Sequence, residues 1–298
     1  MSISSADRVL ADLELTRGLT IQMTAVSTLG MVVWWAVFSG IYRIGTGESV
    51  SLQFAPASLG WLAVGVNIFV LVFLATAILA PHEWLHGLAI RYYGGEPRYG
   101  VGVAHFILPY AYATTDHEFS RDQFIVVLLT PLVVLSAVGV PAMLLLEWGW
   151  LVVPLTLNAA GAVADVWMTI SVLGYPAHIR IVDHEKGVRI IGRETDRPRR
   201  LSIATLAWDA LSGAAVAAFV VAVLLAIGGP LLLSTLGVDS LTIGTPGTVT
   251  YVFSFVDTPN EISLGVGPGV LAVGGALGVV YAFVRSYRRG VRPTSDVS

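Results

Sequence analysis

The chain has 298 residues, a net charge of −3 and no cysteine, so nucleic acid is not an expected partner and neither disulfides nor thiolate metal sites are available. It is 55% hydrophobic and only 12% charged, with a mean hydropathy of +0.76. That excludes a water-soluble domain, and several stretches reach the ~20 apolar residues that cross a bilayer as a helix.

The expected fold class is therefore an all-α membrane protein. It has about six transmembrane helices and short β-like segments between helices two and three and between helices five and six. Residues 1–298 read as a single integral membrane domain in contact with the lipid bilayer. The polar start, Met1 to Thr20, carries Asp7, Asp12 and Glu14 and does not resemble a cleavable signal peptide. Span one is predicted over Ile21 to Ile41, and span two over Leu59 to Tyr92, closed by Gly94-Gly95. Arg98 to Thr115 is rich in glycine, aromatics and β-formers, and reads either as a strand or hairpin at the membrane edge or as an ordinary interfacial loop. Spans three and four are predicted over Phe124 to Leu146, with Pro131 and Pro141 inside, and Leu151 to Leu173. His178 to Arg200 is highly charged and reads as a small water-facing segment, in which Asp183 to Ile191 forms a short amphiphilic strand with a turn at Gly187. Span five covers Ala204 to Leu233, with Asp209 near its start at the interface. Gly237 to Asn260 reads as a β-rich external loop, and span six as Leu264 to Val284, followed by Arg285, Arg288, Arg289 and Arg292.

The last third of span two carries His82-Glu83-Trp84-Leu85-His86. Two histidines four apart share one helix face, where both imidazoles reach one Zn²⁺ and the adjacent glutamate serves as a base for water. A hydrolytic zinc site usually takes a third protein ligand and keeps a fourth position open. The candidates are Asp165, His105, Asp116, His117, Glu118 and His184. Outside the motif, Asp165 is the only acid near the middle of a predicted span, where an unpaired carboxylate is costly. His82 and Asp165 lie about ten and about eight residues before the predicted ends of their spans, so their depths agree within a turn. Asn158 lies two turns before Asp165 on nearly the same face.

His82-Glu-Trp-Leu-His-Gly, Pro109-Tyr-Ala-Tyr-Ala-Thr-Thr-Asp, Thr130-Pro-Leu and Asn158-Ala-Ala-Gly-Ala-Val-Ala-Asp165 resemble the putative zincin peptidase family of multipass membrane proteins, which is similar in layout to the site-2 proteases. The resemblance covers roughly 81–191 and implies a zincin-like catalytic core there. It implies a metal set of His82, His86 and Asp165, with Glu83 catalytic. By the same resemblance the Arg98 to Thr115 segment borders the substrate, and Asn158 is a candidate substrate-binding residue. The chain departs from the site-2 pattern in reading Ala164-Asp165-Val166 where those enzymes have Leu-Asp-Gly, and in having no proline between Asn158 and Asp165.

The expected function is a zinc-dependent, membrane-embedded metallopeptidase acting on membrane-anchored protein or peptide substrates. The alternatives are a non-proteolytic metal-binding transporter or scaffold, and a zinc hydrolase of a lipid or small substrate. Glu83 separates the first alternative, because a transporter needs ligands but no general base. Arg180, Lys186, Arg189, Arg193, Arg197, Arg199 and Arg200 follow span four, whereas Gly237 to Asn260 contains neither Lys nor Arg. That asymmetry predicts a cell-membrane protein with both termini cytoplasmic.

Overall fold

A computed structural model describes residues 7–14, 16–104, 108–184, 187–196, 203–258 and 261–291. Among them six helical stretches are long and apolar enough to cross a membrane: Arg17–Thr46, Trp61–Tyr92, Arg121–Leu145, Gly149–Leu173, Thr205–Thr235 and Gly269–Arg289. The protein is mostly helical with short strands between the helices. It divides into two compact units, one of residues 1–17 and 30–200, the other of 18–29 and 201–298.

In the first unit, β1 (Asp7–Glu14) precedes α1 (Arg17–Thr46), whose first turns group with the second unit. Span two is not one helix. It consists of α2 (Trp61–Ala77) and α3 (Leu79–Tyr92), with a break at Ile78. Pro81 accounts for the break, because it has no N–H to return to the Ala77 carbonyl. In the first turn of α3 that loss costs little, since those amides have no intrahelical partner. The hairpin of β2 (Arg98–Ala104) and β3 (Leu108–Thr114) follows, in the segment read as a hairpin or an interfacial loop. Next, β4 (Glu118–Ser120) runs straight into α4 (Arg121–Leu145). Ser120 caps α4. Its hydroxyl accepts from the Gln123 amide, and the Gln123 side chain accepts from the Ser120 amide. Span four is also broken, into α5 (Val152–Gly161) and α6 (Val163–Leu173) at Ala162, just after a poor helix former, Gly161.

A four-stranded antiparallel sheet completes this unit, in the order β1, β6 (Gly187–Arg193), β5 (Arg180–His184), β4. Here the structure departs from the sequence reading. The N-terminal segment is a strand rather than only a polar lead-in. The amphiphilic strand expected around Gly187 is present in β5 and β6, but it is half core rather than water-facing. Ile181, Val188 and Ile190 are buried, and they join Ile90 of α3, Phe124 and Val127 of α4 and Val172 of α6 in one apolar cluster. Each such side chain contributes roughly 1.5–3 kcal/mol on burial. The charges lie on the outer face, where register partners Asp12 and Arg189 approach to 3.2 Å. The sheet thus fixes the ends of α3, α4 and α6 against one another.

In the second unit, α7 (Ile203–Val223) passes through a widened turn, Leu224–Gly228, into α8 (Gly229–Thr235), where Pro230 lies in the first turn. A three-stranded sheet follows, of β7 (Ser240–Ile243), β8 (Phe253–Thr258) and β9 (Glu261–Val266), in the stretch expected to be β-rich. Span six begins at Gly269 with α9 (Gly269–Val291), later than the expected Leu264. Leu264 is in β9, and Gly267-Pro268 stops a helix from starting sooner. Helices α7 and α9 pack backbone to backbone: a β-carbon on Gly278 would overlap Ala210 and Ala214.

Candidate metal centre

His82 is the fourth residue of α3, and His86 follows one turn later on the same face. Their ring centroids are 4.9 Å apart, with planes at 75°. Asp165 lies in the first turn of α6. Both ligand-bearing helices thus begin at a mid-span break, and both pack against α4. Asp165 Oδ2 is 3.4 Å from His82 Nε2 and 3.6 Å from His86 Nε2. The three side chains are 12%, 10% and 13% exposed, and one ligand-type atom from each lies within 4.8 Å of the others.

Hydrogen bonds set which ring nitrogens face inward. His86 Nδ1 is 2.9 Å from the Val127 carbonyl, which can only accept, so Nδ1 carries the proton. His82 Nδ1 donates over 2.8 Å to Asn158 Oδ1. Each ring therefore turns Nε2 toward the Asp165 carboxylate, and in the neutral imidazole that nitrogen is the unprotonated one. With both rings neutral, three acceptors converge without a donor and repel one another, and burial strengthens that repulsion; a bound cation removes it. Among the described residues, the ionic partners of Asp165 are these two imidazoles alone.

The donor set fits a zinc ion. Ligand bonds of about 2.0–2.1 Å at tetrahedral angles put neighbouring ligand atoms about 3.4 Å apart. The two measured separations, 3.4 and 3.6 Å, match that spacing and are too long for good hydrogen bonds. Two imidazoles and one carboxylate leave a fourth position open, as hydrolytic sites do.

Glu83 is half-buried beside the cluster, within electrostatic range of His86, His82 and Asp165, with the Ala113 main chain of β3 near its carboxylate. The hairpin lies close along α3 because residue 87 is glycine; a β-carbon there would run into the Tyr99 hydroxyl. Asn158 is 2% exposed, with its Oδ1 on His82 and its Nδ2 without a partner among the described residues.

The other candidate ligands stand elsewhere. Asp116 is held by Arg98 through two contacts of 2.6 Å. His117 packs edge-on against Phe119, and Glu118 pairs with Arg180 at 3.0 Å. His184 ends β5, and His105 lies outside the described residues. The sequence reading missed the Val127 carbonyl and the Ala113 main chain. Both are main-chain groups, which every residue carries, so no residue type could have signalled them.

Against known proteins, residues 73–180 match the family model described as "Putative zincin peptidase". The matched stretch contains His82, Glu83, His86, Asn158 and Asp165. Neither the curated proteins nor the solved structures gave a match.

Proposed function

We propose that this chain is a zinc-dependent metallopeptidase that cleaves membrane-associated protein or peptide substrates at or within the bilayer. One observation carries the reading: two imidazoles, each held through Nδ1 with Nε2 turned inward, converge with a buried carboxylate at the ligand spacing of zinc. The zincin match over the same residues supports it.

His82, His86 and Asp165 would hold the ion. Zinc in such a site supplies a Lewis acid and a water acidified toward neutral pH. Glu83 takes the proton of the attacking water and delivers it to the leaving amine. Val127 and Asn158 hold the two imidazoles in the ligating tautomer.

A helical substrate offers no free carbonyl, because its backbone bonds internally. The substrate must therefore be extended at the scissile bond. The β2–β3 hairpin runs beside α3, its Ala113 main chain near Glu83, and offers main-chain groups to which an unwound segment can add as a strand. Residues 81–191 act as the catalytic core of one membrane domain. Both termini and the metal-bearing ends of spans two and four lie on the cytoplasmic side of the cell membrane, the side that carries the arginine excess.

The test is metal analysis of the detergent-purified full chain, paired with a cleavage screen on membrane-anchored peptides. About one zinc per chain and chelator-sensitive cleavage are expected. Zinc without cleavage of any anchored peptide would favour a metal-binding protein that is not a protease.

A further inference from the structure

Asp209 was expected at the membrane interface near the start of span five, and its side chain is only 1% exposed. Two guanidinium groups surround it. Arg285 donates to Oδ1 at 2.8 Å. Arg289 lies across both oxygens, 3.1 Å from Oδ1 and 2.8 Å from Oδ2. One carboxylate neutralises one of these two charges. The excess positive charge stays fixed in place, with the two side chains 38% and 36% exposed. Arg288, exposed, adds a second.

The surroundings of this excess charge are specific. Asp209 and Arg285 lie about one helical turn inside the ends of their spans, at headgroup depth. On α9, Arg285 and Arg289 continue the Gly278-Ala282 stripe that packs on α7. The neighbouring stripe, Leu277, Tyr281, Val284 and Arg288, is exposed. It therefore carries a cation at its polar end and apolar surface below it. The Arg285 guanidinium also sits over the Tyr281 ring, 5.8 Å from its centroid.

We propose that Arg285, braced by Asp209 and Arg289, and the neighbouring exposed Arg288 bind the phosphate of an anionic phospholipid whose acyl chain lies along Val284, Tyr281 and Leu277. Guanidinium donors that do not face Asp209 suit a phosphate oxygen pair. Asp209 is then a brace: it holds two flexible side chains in fixed positions and lowers the entropy lost on binding. The apolar stripe distinguishes a lipid from free phosphate, which would have no use for it.

The experiment is native mass spectrometry of the delipidated full chain with phosphatidylglycerol or phosphatidylcholine of identical acyl chains. One phosphatidylglycerol should be retained in preference to phosphatidylcholine. Arg288→Gln leaves both ion pairs to Asp209 intact, and Arg285→Gln leaves one. Each should lower that preference by about fivefold, the worth of one arginine near an anionic surface. Equal retention of the two lipids by the wild type overturns the proposal, as does a preference unchanged in both variants. Displacement of the lipid by inorganic phosphate alone would also overturn it, in favour of a soluble phosphate site.

Discussion

At the scale of single residues, Glu83, Asp165 and Asn158 make separable demands. Glu83 reaches no ligand position, so Glu83→Gln should keep zinc and lose about 10²–10⁴-fold in cleavage rate. Full cleavage by that variant would remove the general-base role and leave the metal site standing. Asp165→Ala should lower zinc occupancy strongly, whereas His117→Ala and Glu118→Ala should not, because those side chains are engaged with Phe119 and Arg180. The reverse pattern in metal analysis would move the third ligand to the loop. Asn158 acts through His82. Asn158→Leu leaves the imidazole free to rotate or change tautomer, and zinc affinity should fall about 10–100-fold. Asn158→Asp restores an acceptor for Nδ1–H and should recover most of it; a competition titration with a chelator reads both. The histidines were legible because helical spacing fixes their face, and Asp165 because an acid in mid-span needs a partner. Asn158 stood out as a polar residue near Asp165 and, by resemblance, as a substrate-binding candidate, not as a partner of His82. Its bond to His82 depends on how α5 meets α3, which no local pattern encodes.

At the scale of elements, hydropathy located all six spans but not their interruptions. A window of apolar residues reads the same across Ile78 or Ala162 as through an unbroken helix, yet those breaks set the starts of α3 and α6, and so the positions of the ligands. The hairpin and the three-stranded sheet were legible from glycine, threonine and aromatic content. The four-stranded sheet was not, because β1 and β6 pair across a sequence gap longer than half the chain. The seating of the hairpin on α3 can be tested directly. Gly87→Ala sets a methyl group against Tyr99, so it should displace the hairpin, with a cost of about 1–3 kcal/mol if the contact cannot relax. Cleavage should suffer while zinc binding holds. Adding Tyr99→Ala removes the obstacle and should restore much of the loss. A double variant no better than Gly87→Ala alone would show that the close approach is not what seats the hairpin.

At the scale of the whole molecule, the four-stranded sheet constrains the topology independently of charge. Its strands come from before span one, between spans two and three, and after span four. Strands pair only on one side of a bilayer, so an even number of crossings must separate them, and the assigned spans meet that condition. Reporter fusions at Ser298 and within 244–250, which one span separates, should report opposite sides; agreement between them would mean that the span count is wrong. The same sheet also puts the chain's assembly in a time order. Strand β1 is made first, but its partner β6 emerges only after four spans have been synthesised. At about 5–20 residues per second that delay is roughly ten to forty seconds. During it β1 waits as an unpaired edge, kept soluble by its alternating acids and Arg8. A span inserted in the wrong sense would carry β6 across the bilayer and leave β1 exposed for good. Closure of the sheet is therefore a late checkpoint: the earliest of its four strands stays open until the helices that bring His82 to Asp165 have entered the membrane correctly.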